Sequence, residues 1–440
     1  MEIGGKQGSR LTGRMFAKMM DLIAEELNGE KLGFEITEDF LIDVLLWVDN
    51  VVSCTEGKVN QEQMLNKVNE FAIKHKLKWG QAKCKVMKVG KHNKKAEEWT
   101  LGDMKIEETD KYKYLGDTIT PDGKNTENLQ TRKMKIQATT ININTIASGE
   151  TLHRIETSVL LELHDKISIP GLLNNCESWN LSRKEEVDLE KIEVQAIKYL
   201  FDLPLHTPTV AIIYTCGLLY TMQRIDQIQL LYLQKILKRD YNDWTKQALT
   251  ILKEKNIGWY VKIINILQKY NLPTDFEVIR AAPVARWGNT VKAVIEQKNK
   301  ERIQADLYKQ ENGNDIPKTK TKSIIEKIND PNYVRKPEDE ILYLTKNETK
   351  SLIIARYGML ECGKNFKGTM KPVCDTCEVV DNEYHRLNDC PKWSSTNLYN
   401  ETEKIDFNMV YSSEVETIRS IITNVKHVWN TKCANGTMNK

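Results

Sequence analysis

The sequence predicts an α+β protein, strand-rich in its first third and helical afterwards. Three observations carry that prediction. Up to about residue 120, short apolar, strand-prone runs alternate with Gly, Asp and Pro turn signals. From residue 123 to about 270, apolar residues recur at helical intervals, punctuated by Pro170, Pro204, Pro208 and, just beyond, Pro273. Between positions 374 and 390, three cysteines and a histidine crowd into one short segment.

Taken in order, residues 14–30 read as a helix through Met15, Met19, Leu22, Ile23 and Leu27. Phe40 to Cys54 reads as a hairpin whose strands are apolar on both faces, the pattern of a strand covered on both sides. Residues 58–78 form an amphipathic helix through Met64, Leu65, Val68, Phe71 and Ala72. Short strands follow at Cys84–Val89, Glu98–Leu101, Met104–Ile106 and Tyr112–Thr120, with turns at Leu101-Gly102-Asp103 and Pro121-Asp122-Gly123. Residues 292–345 are lysine-rich and weak in apolar periodicity, so they read as a linker or an exposed helix. The expected organisation is a strand-rich part at 1–120, helices at 121–270, a basic helical connector at 271–345, a cysteine module at 346–400 and a polar tail at 401–440.

Lys and Arg number 64 and Asp and Glu 61 among 440 residues, so whole-chain charge supplies no argument for a nucleic-acid partner. Any such argument is local. No apolar run approaches the roughly 20 residues of a membrane span. The start, Met1-Glu2-Ile3-Gly4-Gly5-Lys6, lacks the apolar core of a secretory signal. Nine cysteines, an odd and dispersed set, fit a reducing interior, cytoplasmic or nuclear, better than a disulfide framework. Asn435-Gly436-Thr437 spells a glycosylation acceptor that nothing else in the sequence supports.

Chemistry concentrates in a few segments. Leu45-Leu46-Trp47-Val48-Asp49-Asn50-Val51-Val52 is a strand, a carboxylate-bearing tip and a returning strand. From Lys74 to Lys95 there are nine lysines and no acidic residue, with Trp79 among them. That patch either meets phosphates, with Trp79 adding an apolar or stacking contact, or guards a solvated sheet edge. Lys318-Thr319-Lys320-Thr321-Lys322 reads as an exposed charged loop or a backbone-contacting patch. Cys374-x2-Cys377-x7-His385-x4-Cys390 offers three thiolates and an imidazole. That is a closed tetrahedral set for Zn²⁺ with no open position, hence a structural metal.

In this order the segments resemble the C-terminal half of a LINE-type (non-LTR) retrotransposon reverse transcriptase. Gly5-Lys6-Gln7-Gly8-Ser9-Arg10-Leu11-Thr12-Gly13-Arg14-Met15-Phe16 is similar to the family's Gln-Gly-x-x-Leu-Ser-Pro-x-x-Phe, with Thr12-Gly13 in place of Ser-Pro and Ala17 in place of Asn. Trp47-Val48-Asp49-Asn50 resembles the aromatic-x-Asp-Asp of the catalytic hairpin. Leu77 to Met87 resembles Leu-Lys-x-Asn-x-x-Lys-Thr-x-x-Met, with Gly80 and Cys84 substituted. Tyr112-Lys113-Tyr114-Leu115-Gly116 matches the Tyr-Leu-Gly hairpin. Cys176-Glu177-Ser178-Trp179-Asn180-Leu181, Leu203-Pro204, Thr207-Pro208 and Gly217-Leu218-Leu219 follow in family order, and Asn365-Phe366-Lys367 precedes the Cys-Cys-His-Cys motif.

The resemblance implies a partial palm, a helical thumb and connector, and a zinc knuckle. It implies RNA or DNA as partner, dNTP as substrate, Mg²⁺ as the catalytic ion, and Gln7, Gly8, Lys83, Lys85 and Tyr114 as template, nucleotide or primer contacts. It implies that Asp49 is one of three metal carboxylates. Asn50 keeps an oxygen but not the charge that Mg²⁺ requires. The third carboxylate is expected on a strand upstream of Met1. The sequence reading is therefore an RNA-directed DNA polymerase relative without polymerase activity. The alternative is a zinc-dependent nucleic-acid-binding protein.

Overall fold

The computed structural model describes residues 10–27, 31–38, 40–90, 97–147, 155–312, 318–357, 359, 373–382, 385–390, 415, 418–419 and 422. The chain is α+β and divides into two compact units, Met1–Lys124 and Asn125–Lys440. No helix among the described residues is long and apolar enough to cross a membrane.

In the first unit, α1 (Arg10–Leu27) and α2 (Gly57–Lys74) carry the helical half of the core. On α2 the expected face, Met64, Leu65, Val68, Phe71 and Ala72, is the buried one. On α1 the buried stripe is Met20, Ile23 and Leu27, while Met15 and Leu22 are exposed. Of the expected face, Ile23 and Leu27 are buried as read and Met19 is half-buried, while Met15 and Leu22 face solvent and Met20 takes their place in the core. Two hairpins follow α1. β1 (Phe34–Thr37) pairs with β2 (Phe40–Ile42), and β3 (Val44–Trp47) with β4 (Asn50–Ser53), Trp47 opposite Asn50. The expected single hairpin from Phe40 to Cys54 thus breaks at Asp43. Its expected burial on both faces is also corrected. Leu45 and Trp47 are exposed while Val44 and Leu46 pack on the core, because β3 and β4 form a two-stranded sheet with one covered side.

β5 (Lys85–Val86) runs parallel to β7 (Met104–Glu108), which pairs antiparallel with β6 (Trp99–Leu101). Leu101 faces Met104 across Gly102-Asp103, and Gly102 takes φ +59 there, a turn conformation natural to glycine. The expected strand Tyr112–Thr120 is a hairpin, β8 (Tyr112–Tyr114) with β9 (Asp117–Ile119), turned by Leu115-Gly116 at φ 47 and 98.

The second unit holds no strand longer than a single bridge among its described residues, and its main elements are helices: α3 (Thr126–Ala147), α4 (Thr157–Leu163), α5 (Ile169–Leu173), α6 (Arg183–Leu200), α7 (Thr209–Thr215), α8 (Thr221–Leu237), α9 (Trp244–Lys255), α10 (Gly258–Lys269), α11 (Phe276–Ala281), α12 (Val284–Asn312), α13 (Lys318–Asn329), α14 (Asp339–Leu342) and α15 (Lys346–Arg356). Local signals explain several ends. Ser182 with Glu185 and Thr345 with Glu348 form capping boxes that start α6 and α15. Pro170 removes an N–H and crowds the carbonyl four residues back, and a π-turn at His164–Ser168 absorbs the interruption between α4 and α5.

The Cys176–Leu181 segment is a packing element. Arg132 on α3 is buried, donates to the Gly171 and Asn174 carbonyls (3.1 and 3.2 Å) and lies over the Trp179 ring. Gln229 on α8 donates to the Cys176 and Trp179 carbonyls at 2.9 and 2.8 Å. Gly217 has a similar role. Its φ is +63, and a Cβ there would fall 2.1 Å from the Lys336 carbonyl carbon.

The described residues of 292–345 are neither a linker nor an exposed helix. Ile295 packs in one apolar cluster, and Ile303, Leu307, Ile324, Ile328, Ile341 and Leu344 in another, the largest. Its cations are staples. Arg302 makes a two-pronged pair with Glu190 of α6 (2.7 and 2.8 Å) and lies over the Tyr220 ring, and Arg335 grips Glu296 and the Gly217 carbonyl (2.7 Å). The apolar spacing is masked in the sequence by the surrounding lysines.

Two outcomes follow from this packing. Gly217→Ala should lower stability by about 3 kcal/mol, read from urea denaturation of the helical signal, since the turn tolerates neither the angle nor the methyl. His164 is buried, its Nε2 4.0 Å from Glu193 Oε1. Burial, with the Arg224 guanidinium nearby, pushes its pKa from 6.5 down to about 4. Between those values the unfolded chain binds a proton that the folded chain refuses, so the stability due to neutral His164 is lost as pH falls from about 6.5 to about 4. Burial raises Glu193, which acts in the opposite sense. A comparison with His164→Gln isolates the histidine, and the variant's stability should fall less over that window. The His164 ring resonances should titrate near 4; a midpoint near 6.5 would contradict the assignment.

Candidate metal centre

Two tight turns assemble the centre. In the first, Val373 and Val380 form an antiparallel bridge. The Cys374 N–H donates to the Val379 carbonyl (2.8 Å) and the Glu378 N–H to the Cys374 carbonyl (2.9 Å), with Glu378 at φ 57. This turn places Cys374 and Cys377 together. The second is a π-type turn, His385–Asp389. The Asn382 Oδ1 accepts the His385 N–H (2.8 Å), and the Cys390 N–H donates to the His385 carbonyl (2.8 Å). This turn supplies the other two side chains.

The ligand atoms of Cys374, Cys377, His385 and Cys390 all lie within 4.8 Å of one another. The Cys390 Sγ is 3.7 Å from that of Cys374 and 3.8 Å from that of Cys377. A tetrahedral ion with metal–sulfur bonds of about 2.3 Å sets an S–S edge of about 3.8 Å, so the sulfur spacing fits such an ion. Cys374, His385 and Cys390 are buried and Cys377 is half-buried. The His385 Nε2 is buried with no hydrogen-bond partner, a state that coordination would relieve. Burial pushes the Cys374 thiol up, but hydrogen bonds from the His385 ring and from the Thr376 and Cys377 N–H groups outweigh it and bring the pKa down to about 6. The thiolate is the ligating form. The cluster can hold a metal ion, and it is the group of three or more His, Cys, Asp or Glu able to do so among the described residues.

The module does not stand apart from the helices. Cys374 and Cys390 belong to the same apolar cluster as α7 and α15, with Met359, Ile418 and Ile422 beside them.

The hairpin residues lie in the first unit. Asp49 sits exposed at the β3–β4 tip after Val48, whose φ of 55 is strained for a β-branched residue. The Asn50 side chain donates to the Trp47 carbonyl and to Asp49 Oδ1, both at 3.4 Å. No carboxylate cluster gathers at Asp49 among the described residues. Lys83 is exposed in a 3-10 turn, Gln81–Lys83, and its carbonyl accepts the Tyr112 hydroxyl (3.0 Å). Lys85 is paired with Glu107, and Lys88 with Glu97 and Glu108. These pairings hold Glu107 and Glu108 below the usual carboxylate range. Tyr114 is half-buried, and burial, with Cys54 and Tyr112 nearby, raises its hydroxyl. Trp79 is half-buried, packed against the core. The lysine run is thus partly neutralised by acids from Glu26, Glu97, Glu107 and Glu108, which a reading of the run alone could not register. Lys76, Lys78 and Lys83 are exposed and make no ion pair among the described residues.

Gln7, Gly8, Asn365-Phe366-Lys367, Cys362, Cys433 and Asn435 fall outside the described residues. Two features escaped the sequence reading. One is the buried Asp381–Arg386 pair inside the metal loop; the other is the His164–Glu193 pair. No protein-family model and no curated protein matches the sequence.

Because two metal ligands sit in the main apolar cluster, chelation should act on the whole helical unit. Treating metal-loaded protein with a strong chelator should lower the thermal midpoint of its helical signal by on the order of 10 °C. Cys390→Ser should show the same drop without chelator. An unchanged midpoint in both would mean the turns hold together unaided.

Proposed function

We propose that this chain is a zinc-dependent nucleic-acid-binding protein related to the C-terminal half of LINE-type reverse transcriptases, without polymerase activity of its own. One observation carries the inactive reading. At the tip of the family-like hairpin, the residue after Asp49 is an amide that hydrogen-bonds back to Asp49. Two-metal catalysis needs converging carboxylates to activate the primer 3′-hydroxyl and stabilise the leaving pyrophosphate. A single exposed Asp beside an amide lacks that charge. Zinc suits the proposed metal role, since three thiolates and an imidazole make a soft, four-coordinate set. Exposed Lys76, Lys78 and Lys83 support a phosphate-contacting edge beside β5.

RNA-templated dNTP incorporation with Mg²⁺ should not rise above that of an Asp49→Ala control. Incorporation that depends on Asp49 would overturn the inactive reading. Metal-loaded protein should bind single-stranded RNA or DNA at low salt, with affinity falling as salt rises. Changing Lys76, Lys78 and Lys83 together to Ala should lower the log–log salt slope by about 2, at roughly 0.7 per phosphate contact. Absence of binding at low salt would sink the nucleic-acid reading.

A further inference from the structure

The four metal ligands fall into two pairs, Cys374 with Cys377 and His385 with Cys390, joined by residues 378–384. A tetrahedral set takes both pairs, so the second turn must stand against the first when an ion is held. Asp381 directly follows Val380, the end of the first turn, and Arg386 directly follows the ligand His385. Both are buried. The Arg386 Nε donates to Asp381 Oδ1 and its Nη2 to Asp381 Oδ2, each at 2.6 Å. Asn382 adds two more links, accepting the His385 N–H on its side chain (2.8 Å) and the Arg386 N–H on its carbonyl (3.0 Å). Asp381-Asn382 therefore grips His385-Arg386 through both side chains and backbone.

We propose that the buried Asp381–Arg386 fork is a positioning pair for the metal centre, setting the His385 imidazole against the three thiolates before the ion arrives. The inference rests on reading the cluster as a metal site. Neither residue belongs to the ligand group, so the pair acts through His385. The guanidinium fork matches the carboxylate in one plane and so fixes direction as well as distance. A buried ion pair is a poor source of net stability compared with an apolar pair of the same size. Its place beside a ligand therefore points to orientation.

The test is cobalt(II) titration of the full chain, followed by zinc competition against a chromophoric chelator. The unaltered protein should bind one cobalt with the intense visible bands of a tetrahedral thiolate site. Asp381→Asn should weaken metal binding by about 10–100-fold, the range for outer partners of metal ligands. Arg386→Lys keeps the charge but not the fork and should also weaken it. The double variant Asp381→Asn with Arg386→Gln leaves no unpaired buried charge, and it carries the test if a single variant unfolds. Unaltered affinity and cobalt bands in Arg386→Lys and in the double variant would overturn the positioning role and leave the metal site standing. Failure of the unaltered protein to bind cobalt or zinc would overturn the metal reading instead.

Discussion

From Val210 to Gly217 every residue is buried, and the larger unit is organised around that fact. A helix that is apolar all round must be enclosed on every side. α6 and α12 pack against α7, and Leu352, Ile353, Ile354 and Ala355 of α15 and Ile303, Leu307, Ile324 and Ile328 of α12 and α13 share its apolar cluster. The polar atoms that enter with α7 find partners: Thr215 Oγ1 meets the Tyr357 hydroxyl at 3.0 Å, and the Thr215 carbonyl accepts the Glu338 N–H at 3.0 Å. Gly217 ends the segment because the chain at Lys336-Pro337 presses against it too closely for a side chain.

The same enclosure reaches the metal centre. α15 is tied to the start of α4 by the Glu156–Thr345 bridge, the Thr157 N–H to Leu344 carbonyl bond and a 2.6 Å contact between the Thr157 and Thr349 hydroxyls. Its C-terminal end, Tyr357 and Met359, joins the cluster that contains Cys374 and Cys390. Two ligands thus do double duty, packing as small apolar groups on one side and presenting sulfur on the other. This arrangement links metal occupancy to the helices in a way that a knuckle on a free tether would not. The buried Asp381–Arg386 pair and the unpartnered Nε2 of His385 are polar features set inside this core, beside the candidate ligands.

Charge is distributed by a different logic in the first unit. Lysines that look like one basic stripe in sequence alternate between paired and open positions, because β7 and the chain before β6 bring Glu107, Glu108 and Glu97 beside Lys85 and Lys88. Among the described residues of the run, Lys76, Lys78 and Lys83, on the connection from α2 to β5, stay open. Asp49 stands at a strained turn with an amide for a neighbour, and its charge is neither buried nor concentrated with others among the described residues.

Periodicity and donor chemistry were readable without a structure. The α2 face through Met64 and Phe71 follows from helical spacing alone, and the ligand set Cys374, Cys377, His385 and Cys390 follows from thiolate and imidazole spacing, because both depend on residues close in the chain. Three features were decided only by tertiary structure. The α1 stripe keeps Ile23 and Leu27 but takes Met20 in place of Met15 and Leu22, because α1 buries whichever face its neighbours cover. The lysine-rich stretch around α12 became core because a few isoleucines and leucines, and arginines that meet distant acids, outweigh its polar average. The β3–β4 hairpin exposed Leu45 and Trp47 because a strand's apolar side chains are buried only where another layer lies over them. Local chemistry is written in adjacent residues, but which face meets water depends on partners far along the chain, and only the folded packing brings those together.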